Sequence, residues 1–201
     1  MALIDMKNRV IQVKIVYYGP GRGGKTTNLE YIYGKFRERI QSEMVSIKTE
    51  GDRTLFFDFL PVDMGRIHGF QIRIQLYTVP GQVKYNATRR LVLNGVDGLV
   101  FVADSSQNRR EKNIASMENL VENLASYNKD IAEMPVVLQY NKRDLEQNGE
   151  PVLELETMEN DLNSRLKAPS YPAAAINGHN VVKTLREILT STVAHLEQEL
   201  N

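Results

Sequence analysis

The 201-residue sequence predicts a doubly wound α/β domain, a mostly parallel sheet with helices packed on both faces. Three observations carry that expectation. Short β-branched or apolar runs alternate with longer amphipathic stretches along the whole chain. One of the runs, Gly98–Ala103, is continuously apolar, as strands covered on both faces are, and Pro135–Tyr140 reads as another buried strand. A third run leads directly into a glycine-rich turn that opens a helix.

That first run, Ile11-Gln-Val-Lys-Ile-Val-Tyr-Tyr18, is β-branched and aromatic and reads as a buried strand. The helix after the turn, Thr27–Phe36, sets Leu29, Ile32, Tyr33 and Phe36 on one face. Arg37–Arg53 is polar and without steady periodicity, the character of a functional loop. Thr54–Leu60 reads as a strand broken by Pro61. A connection through Gly65 and Gly69 leads to Phe70–Tyr77, which alternates apolar and polar residues with period two. These two strands form an antiparallel hairpin at the sheet edge. A loop and short helix then run from Pro80 to about Leu93, ahead of the central strand Gly98–Ala103. The helix Lys112–Tyr127 turns Ile114, Met117, Leu120, Val121 and Leu124 inward. Beyond the strand Pro135–Tyr140, Glu146–Pro151 is loop, Leu155–Leu166 helix and Tyr171–Ala175 a short last strand. Val181–Leu200 is a long helix with Val181, Leu185, Ile188, Leu189 and Leu196 inward. The sheet thus has six strands, one of them an antiparallel edge strand.

Composition narrows the possible functions. Lys+Arg and Asp+Glu both number 25, so the chain offers no net charge for nucleic acid or an anionic membrane. It has no cysteine, which excludes disulfides, thiolate catalysis, cysteine-zinc sites and prenyl or palmitoyl anchors. Met1-Ala-Leu-Ile-Asp5 reads as neither a signal peptide nor a myristoylation site, and no apolar run approaches a membrane span. A cytoplasmic protein is expected.

Gly19-Pro-Gly-Arg-Gly-Gly-Lys-Thr26 fills the phosphate-loop pattern G-x-x-x-x-G-K-[ST], between the strand and helix that pattern requires. Its glycines let successive N–H groups turn toward phosphate oxygens, and the following helix points its positive end at the same anion. Lys25 suits the terminal phosphates and the Thr26 hydroxyl suits Mg²⁺. Asn141-Lys-Arg-Asp144 follows a buried strand. A carboxylate at Asp144 can accept two hydrogen bonds from guanine, a donor pair that adenine lacks. Asn141 would tie this loop to the phosphate loop, with the Lys142 stem along the base. Thr54 could complete Mg²⁺ coordination, or simply open a strand. Gly81-Gln82 suits a second switch, Gly81 contacting the γ-phosphate and Gln82 orienting water. Arg53 could act as an internal arginine finger, although an arginine in a polar loop is ordinarily solvated.

With these residues in view, the chain resembles the Ras-like small GTPases, and within them the bacterial MglA family of cell-polarity GTPases. The resemblance rests on Tyr17-Tyr-Gly-Pro-Gly-Arg-Gly-Gly-Lys-Thr-Thr-Asn28, Arg53-Thr-Leu-Phe-Phe-Asp-Phe-Leu-Pro61, Leu76-Tyr-Thr-Val-Pro-Gly-Gln82, Gly95-Val-Asp-Gly-Leu-Val-Phe-Val-Ala-Asp104 and Gln139-Tyr-Asn-Lys-Arg-Asp144. It implies a P-loop NTPase fold, one Ras-like G domain over residues 1–201, that binds GTP/GDP with Mg²⁺. Hydrolysis in this family is slow and is accelerated by MglB, a homodimeric roadblock-fold partner, with the arginine and glutamine at Arg53 and Gln82 supplied in cis. The implied catalytic residues are Gln82, Arg53, Lys25 and Thr54. The implied nucleotide-binding residues are Gly19, Gly21, Gly23, Gly24, Lys25, Thr26, Thr27, Gly81, Asn141, Lys142, Asp144 and Ala175. Thr26, Thr54 and Asp58 would hold the metal. The family is monomeric alone, carries no lipid anchor, meets polarity and motility effectors in its GTP state and marks cell poles in gliding or pilus-driven motility.

The chain departs from the Ras-like pattern at three places. Thr78 stands where an Asp steers Mg²⁺ through water, and Asp58 is the candidate replacement; an edge-strand carboxylate that discourages aggregation is its other reading. Arg22 puts a bulky charge in the phosphate loop. The last guanine motif is reduced to Ala174-Ala-Ile176, where the Ala175 N–H would serve the guanine oxygen. Two other readings remain, a P-loop kinase and a GTP-dependent scaffold without turnover.

Overall fold

The computed structural model of the chain describes residues 3–5, 7–40, 44–47, 57–67 and 70–199. Its axis is β2 (Val10–Tyr18), whose side chains are sorted by the period of a strand. Val13, Ile15 and Tyr17 enter one core, and Val16 and Tyr18 the other. Parallel to β2 lie β5 (Phe70–Thr78) on one side and β6 (Gly98–Asp104) on the other, followed by β7 (Val136–Asn141) and β8 (Ser170–Pro172). Beyond β5, β4 (Phe57–Ile67) runs antiparallel. These are the six strands expected. Two strands of three residues each extend them: β3 (Val45–Ile47) lines the outer side of β4, and β1 (Leu3–Asp5) pairs with the start of β2.

Pro61 does not break β4, contrary to the sequence expectation; it pairs opposite Gln75 in the strand interior. Asp58 N–H donates to the Thr78 hydroxyl on β5, so before the bulge that follows Asp63 the even-numbered residues of β4 turn their N–H groups toward β5 and the odd-numbered ones away. Among the described residues, the last β3 partner on the outward side is Phe59, and none offers a ladder partner for the missing N–H of Pro61.

Helices α1 (Lys25–Phe36) and α5 (Val181–Glu199) cover one face of the sheet, through Leu29, Ile32, Val181, Leu185 and Ile188. On the other face lie α2 (Asn86–Leu93), α3 (Arg110–Ala125) and α4 (Leu155–Leu162). Several details differ from the sequence reading. Helix α4 ends four residues early because Asn163 exchanges two hydrogen bonds with the backbone of Ala168 and closes the chain into a turn. Residues Arg143–Asn148 form a 3₁₀ helix, where the loop was expected from Glu146, and Gly149 at φ 76° ends it. Val121, expected in the core, is 44% exposed. Among the described residues no helix is long and apolar enough to cross a membrane.

The carboxyl ends of β2, β5, β6 and β7 lie at one edge of the sheet, with Tyr17 beside Thr78 and Asp104 beside Asn141. This is the edge at which open α/β sheets place their ligands.

Candidate functional site

The turn from β2 to α1 is built for close backbone approach. Gly19 has φ +142°, and a Cβ there would lie 2.2 Å from the Val102 carbonyl oxygen; at Gly24, φ +97°, it would lie 2.1 Å from Asn141 Nδ2. Only glycine fits either place. Gly24 caps α1 without a side-chain bond, and the first turn, Lys25 and Thr26 included, has no acidic residue. The first-turn N–H donors and the positive helix end are thus directed at an external anion. Inside the loop, Lys25 Nζ donates to the carbonyls of Gly19 (3.1 Å) and Pro20 (2.7 Å). Burial, with a contribution from the positive charges of Arg89 and Arg109, pushes its pKa down to about 7 despite Asp58 nearby.

The Asn141–Asp144 loop meets the phosphate loop as the sequence reading required. Asn141 Nδ2 donates to the Gly23 carbonyl (2.8 Å), while its Oδ1 accepts the Ala175 N–H (2.8 Å). That amide, expected for a guanine oxygen, is therefore engaged in fixing Asn141. Lys142 adopts φ 70° and donates to Asp104 (2.7 Å). Asp144 is half-buried. Arg143 reaches the Leu153 carbonyl and Glu146, so the segment after residue 146 braces this loop from behind.

Asp58 lies beside Thr26 and Thr78. Its Oδ2 accepts the Thr26 hydroxyl (2.6 Å) and the Thr78 hydroxyl (2.9 Å). The carboxylate missing from β5 is delivered from β4, and Thr78 clamps it beside Thr26. Hydroxyl and carboxylate oxygens are the hard donors that Mg²⁺ prefers, with few protein ligands and the rest from phosphates. No cluster of three or more His, Cys, Asp or Glu suited to a metal occurs among the described residues. Arg53 and Thr54 lie outside the described residues.

Over residues 14–194 the chain matches the Ras family. It belongs to that family. It is a small GTPase that binds GTP and GDP with Mg²⁺ and hydrolyses GTP. A relative named mutual gliding-motility protein MglA, from Myxococcus xanthus (strain DK1622), is 49% identical over 198 residues, covering 98% of this chain and 99% of that protein.

The second switch of this GTPase rests on its phosphate loop. A Cβ on Gly81 would lie 2.1 Å from Gly21 Cα and 3.1 Å from Lys25 Nζ, so the two glycines are in backbone contact. Gln82 follows, exposed, on one wall of a cleft of about 570 Å³ between the phosphate loop, the second switch and the start of α3. The cleft carries Arg22, Lys84, Arg109 and Lys112 against Glu111, a field that attracts polyphosphate. Arg22, at φ 63°, is exposed to solvent.

Two residues escaped the sequence reading. Arg89 on α2 is fully buried. Its guanidinium donates to the carbonyls of Pro80 and Gly81, to the Tyr18 hydroxyl and to Ser116, and lies 4.2 Å over the Tyr18 ring. Tyr18 OH in turn donates to Asn119 and accepts from Asn123, so the second switch is tied through Arg89 to α3. The helical spacing of Arg89, Val92 and Leu93, all buried, was the available signal. Asp104, 1% exposed, closes β6 and pairs with Lys142 and, at 3.4 Å, with Arg109. Arg109 also donates to the Gly21 carbonyl. A polar residue ending an apolar strand at the ligand edge was its only mark.

Proposed function

We propose that this GTPase is a single-domain nucleotide switch of the MglA type, activated by an MglB-type roadblock homodimer and controlling bacterial polarity and motility. The observation that carries this reading is the Thr26–Asp58–Thr78 arrangement, together with likeness to a gliding-motility protein over nearly the whole of both chains. Lys25, Gly24 and the first-turn amides of α1 hold the β- and γ-phosphates. Thr26, Thr54 and Asp58 would hold Mg²⁺, which when bound would neutralise phosphate charge. Asp144 reads guanine, and Asn141 and Lys142 set its loop. Gln82 orients the attacking water in line with the γ-phosphate, and Arg53 stabilises charge that develops there. Loss of the γ-phosphate frees Gly81 and Thr54, and both switches relax. In its GTP state the cytoplasmic monomer meets polarity and motility effectors and is recruited to a cell pole.

Single-turnover hydrolysis of bound GTP, with and without the roadblock partner, tests this. The partner accelerates the wild type. Arg53→Ala keeps nucleotide affinity within about twofold and loses stimulated hydrolysis by about 10³ or more. Normal stimulated turnover in that variant removes Arg53 from the mechanism, and turnover unchanged by the partner removes the MglB-type reading.

A further inference from the structure

Helix α3 has two working faces. Glu111, Lys112, Ala115 and Ser116 line the basic cleft by the phosphate loop. The opposite face, with the segment from Asp130 to Ala132 and the end of α4, encloses a groove of about 740 Å³ that nucleotide binding does not use. Its floor is apolar: Ile114, Met117, Val121, Ile131, Leu162 and Leu166. This explains why Val121 follows the core stripe of α3 and yet is 44% exposed. Its rim is acidic, with Glu118, Glu122, Asp130 and Asp161 against Arg165. Arg110 neutralises Asp161 through two hydrogen bonds, leaving Glu118, Glu122 and Asp130 on the α3 side. In a chain of zero net charge this is a local concentration of negative charge.

We propose that this groove docks a basic amphipathic helix of a partner protein, its apolar stripe on Val121, Ile114 and Leu166 and its lysines or arginines on Glu118 and Glu122. The dimensions agree. Ile114 to Glu122 spans about 12 Å, a little over two helical turns, enough for anchors at i, i+3 or i+4 and i+7. Charge selects the occupant. Two copies of this chain meeting groove to groove would bring like charges together, and nucleic acid or an anionic membrane is repelled by the same rim. The groove therefore fits a cationic helix, and α3 places that helix on the far side of the element that walls the basic cleft by the phosphate loop.

The test uses the full GDP-loaded chain and a fluorescein-labelled 18-residue peptide of leucine and lysine with helical amphipathic spacing, read by anisotropy. A scrambled peptide of the same composition should bind at least about tenfold more weakly. Glu118→Lys/Glu122→Lys and, separately, Val121→Asp should each weaken the patterned peptide by at least about tenfold. Glu150→Lys, on an exposed turn away from the groove, should leave it within about twofold. Amide-exchange protection by the peptide should fall on residues 114–122 and 161–166. Binding that survives the α3 substitutions, protection elsewhere, or self-association of the chain that competes with the peptide each overturns the proposal.

Discussion

Lys25 is held among positive charges and backbone carbonyls, with burial as the largest influence on its proton. Its pKa near 7 has a consequence for nucleotide binding. Phosphates favour the charged form, so the bound pKa is higher than the free one. Well below pH 7 the lysine is already protonated in the free protein and contributes no pH dependence. Above about pH 7.5 it must take up a proton on binding, and affinity falls as pH rises through this window. Calorimetry of GDP binding at about pH 8.5 in two buffers of different ionisation enthalpy should show uptake approaching one proton per nucleotide. Zero uptake would mean that Lys25 is charged in the free protein.

At the scale of elements, the Arg89 guanidinium ties α2 to the second switch and to α3, beside the core packing of Val92 and Leu93. Arg89→Met removes the donors to Pro80 and Gly81 while keeping an apolar volume, so the second switch loses its anchor. Hydrolysis of bound GTP should slow by about 10², with GDP affinity nearly unchanged. Because Arg89 also depresses the Lys25 pKa, the pH threshold for proton uptake should rise in the same variant, a shift that a purely structural role would not produce. The elements also show where sequence reading ends. Runs such as Gly98–Ala103 announce themselves because both faces are apolar. Pro61 was misread because the cost of a missing N–H depends on which side of the strand it faces, and that is set by neighbours distant in sequence. Val45–Ile47 is too short to show a period. Arg89 sits beside Arg90 in a polar stretch, and only the packing of α2 tells the buried arginine from the exposed one. The glycines and Asn141 were legible because their constraint is local backbone geometry, whereas Asp58 became decisive only once folding set it beside Thr26.

Across the whole molecule, a buried polar chain joins three elements around the sheet. Gln139 on β7 exchanges two hydrogen bonds with Asn28 on α1 (2.8 and 3.0 Å) and donates to Thr184 on α5 (3.2 Å). Gln139→Leu strands buried polar groups and should cost about 1–3 kcal/mol. For a chain of this size that lowers Tm by about 2–12 °C in a thermal melt. An unchanged Tm would show that the network is not structural. The Asp104 pairings have a reach of another kind. A bound nucleotide is a rod with its base at one end and its phosphates at the other, and the loops that grip these ends share one carboxylate. If Lys142 lets go, Arg109 is left with a nearly buried charge to balance alone; if Arg109 lets go, the same burden falls on Lys142. Loosening either pairing leaves more of the Asp104 charge to the other, which couples the Lys142 loop to the turn at Arg109 that holds the Gly21 carbonyl.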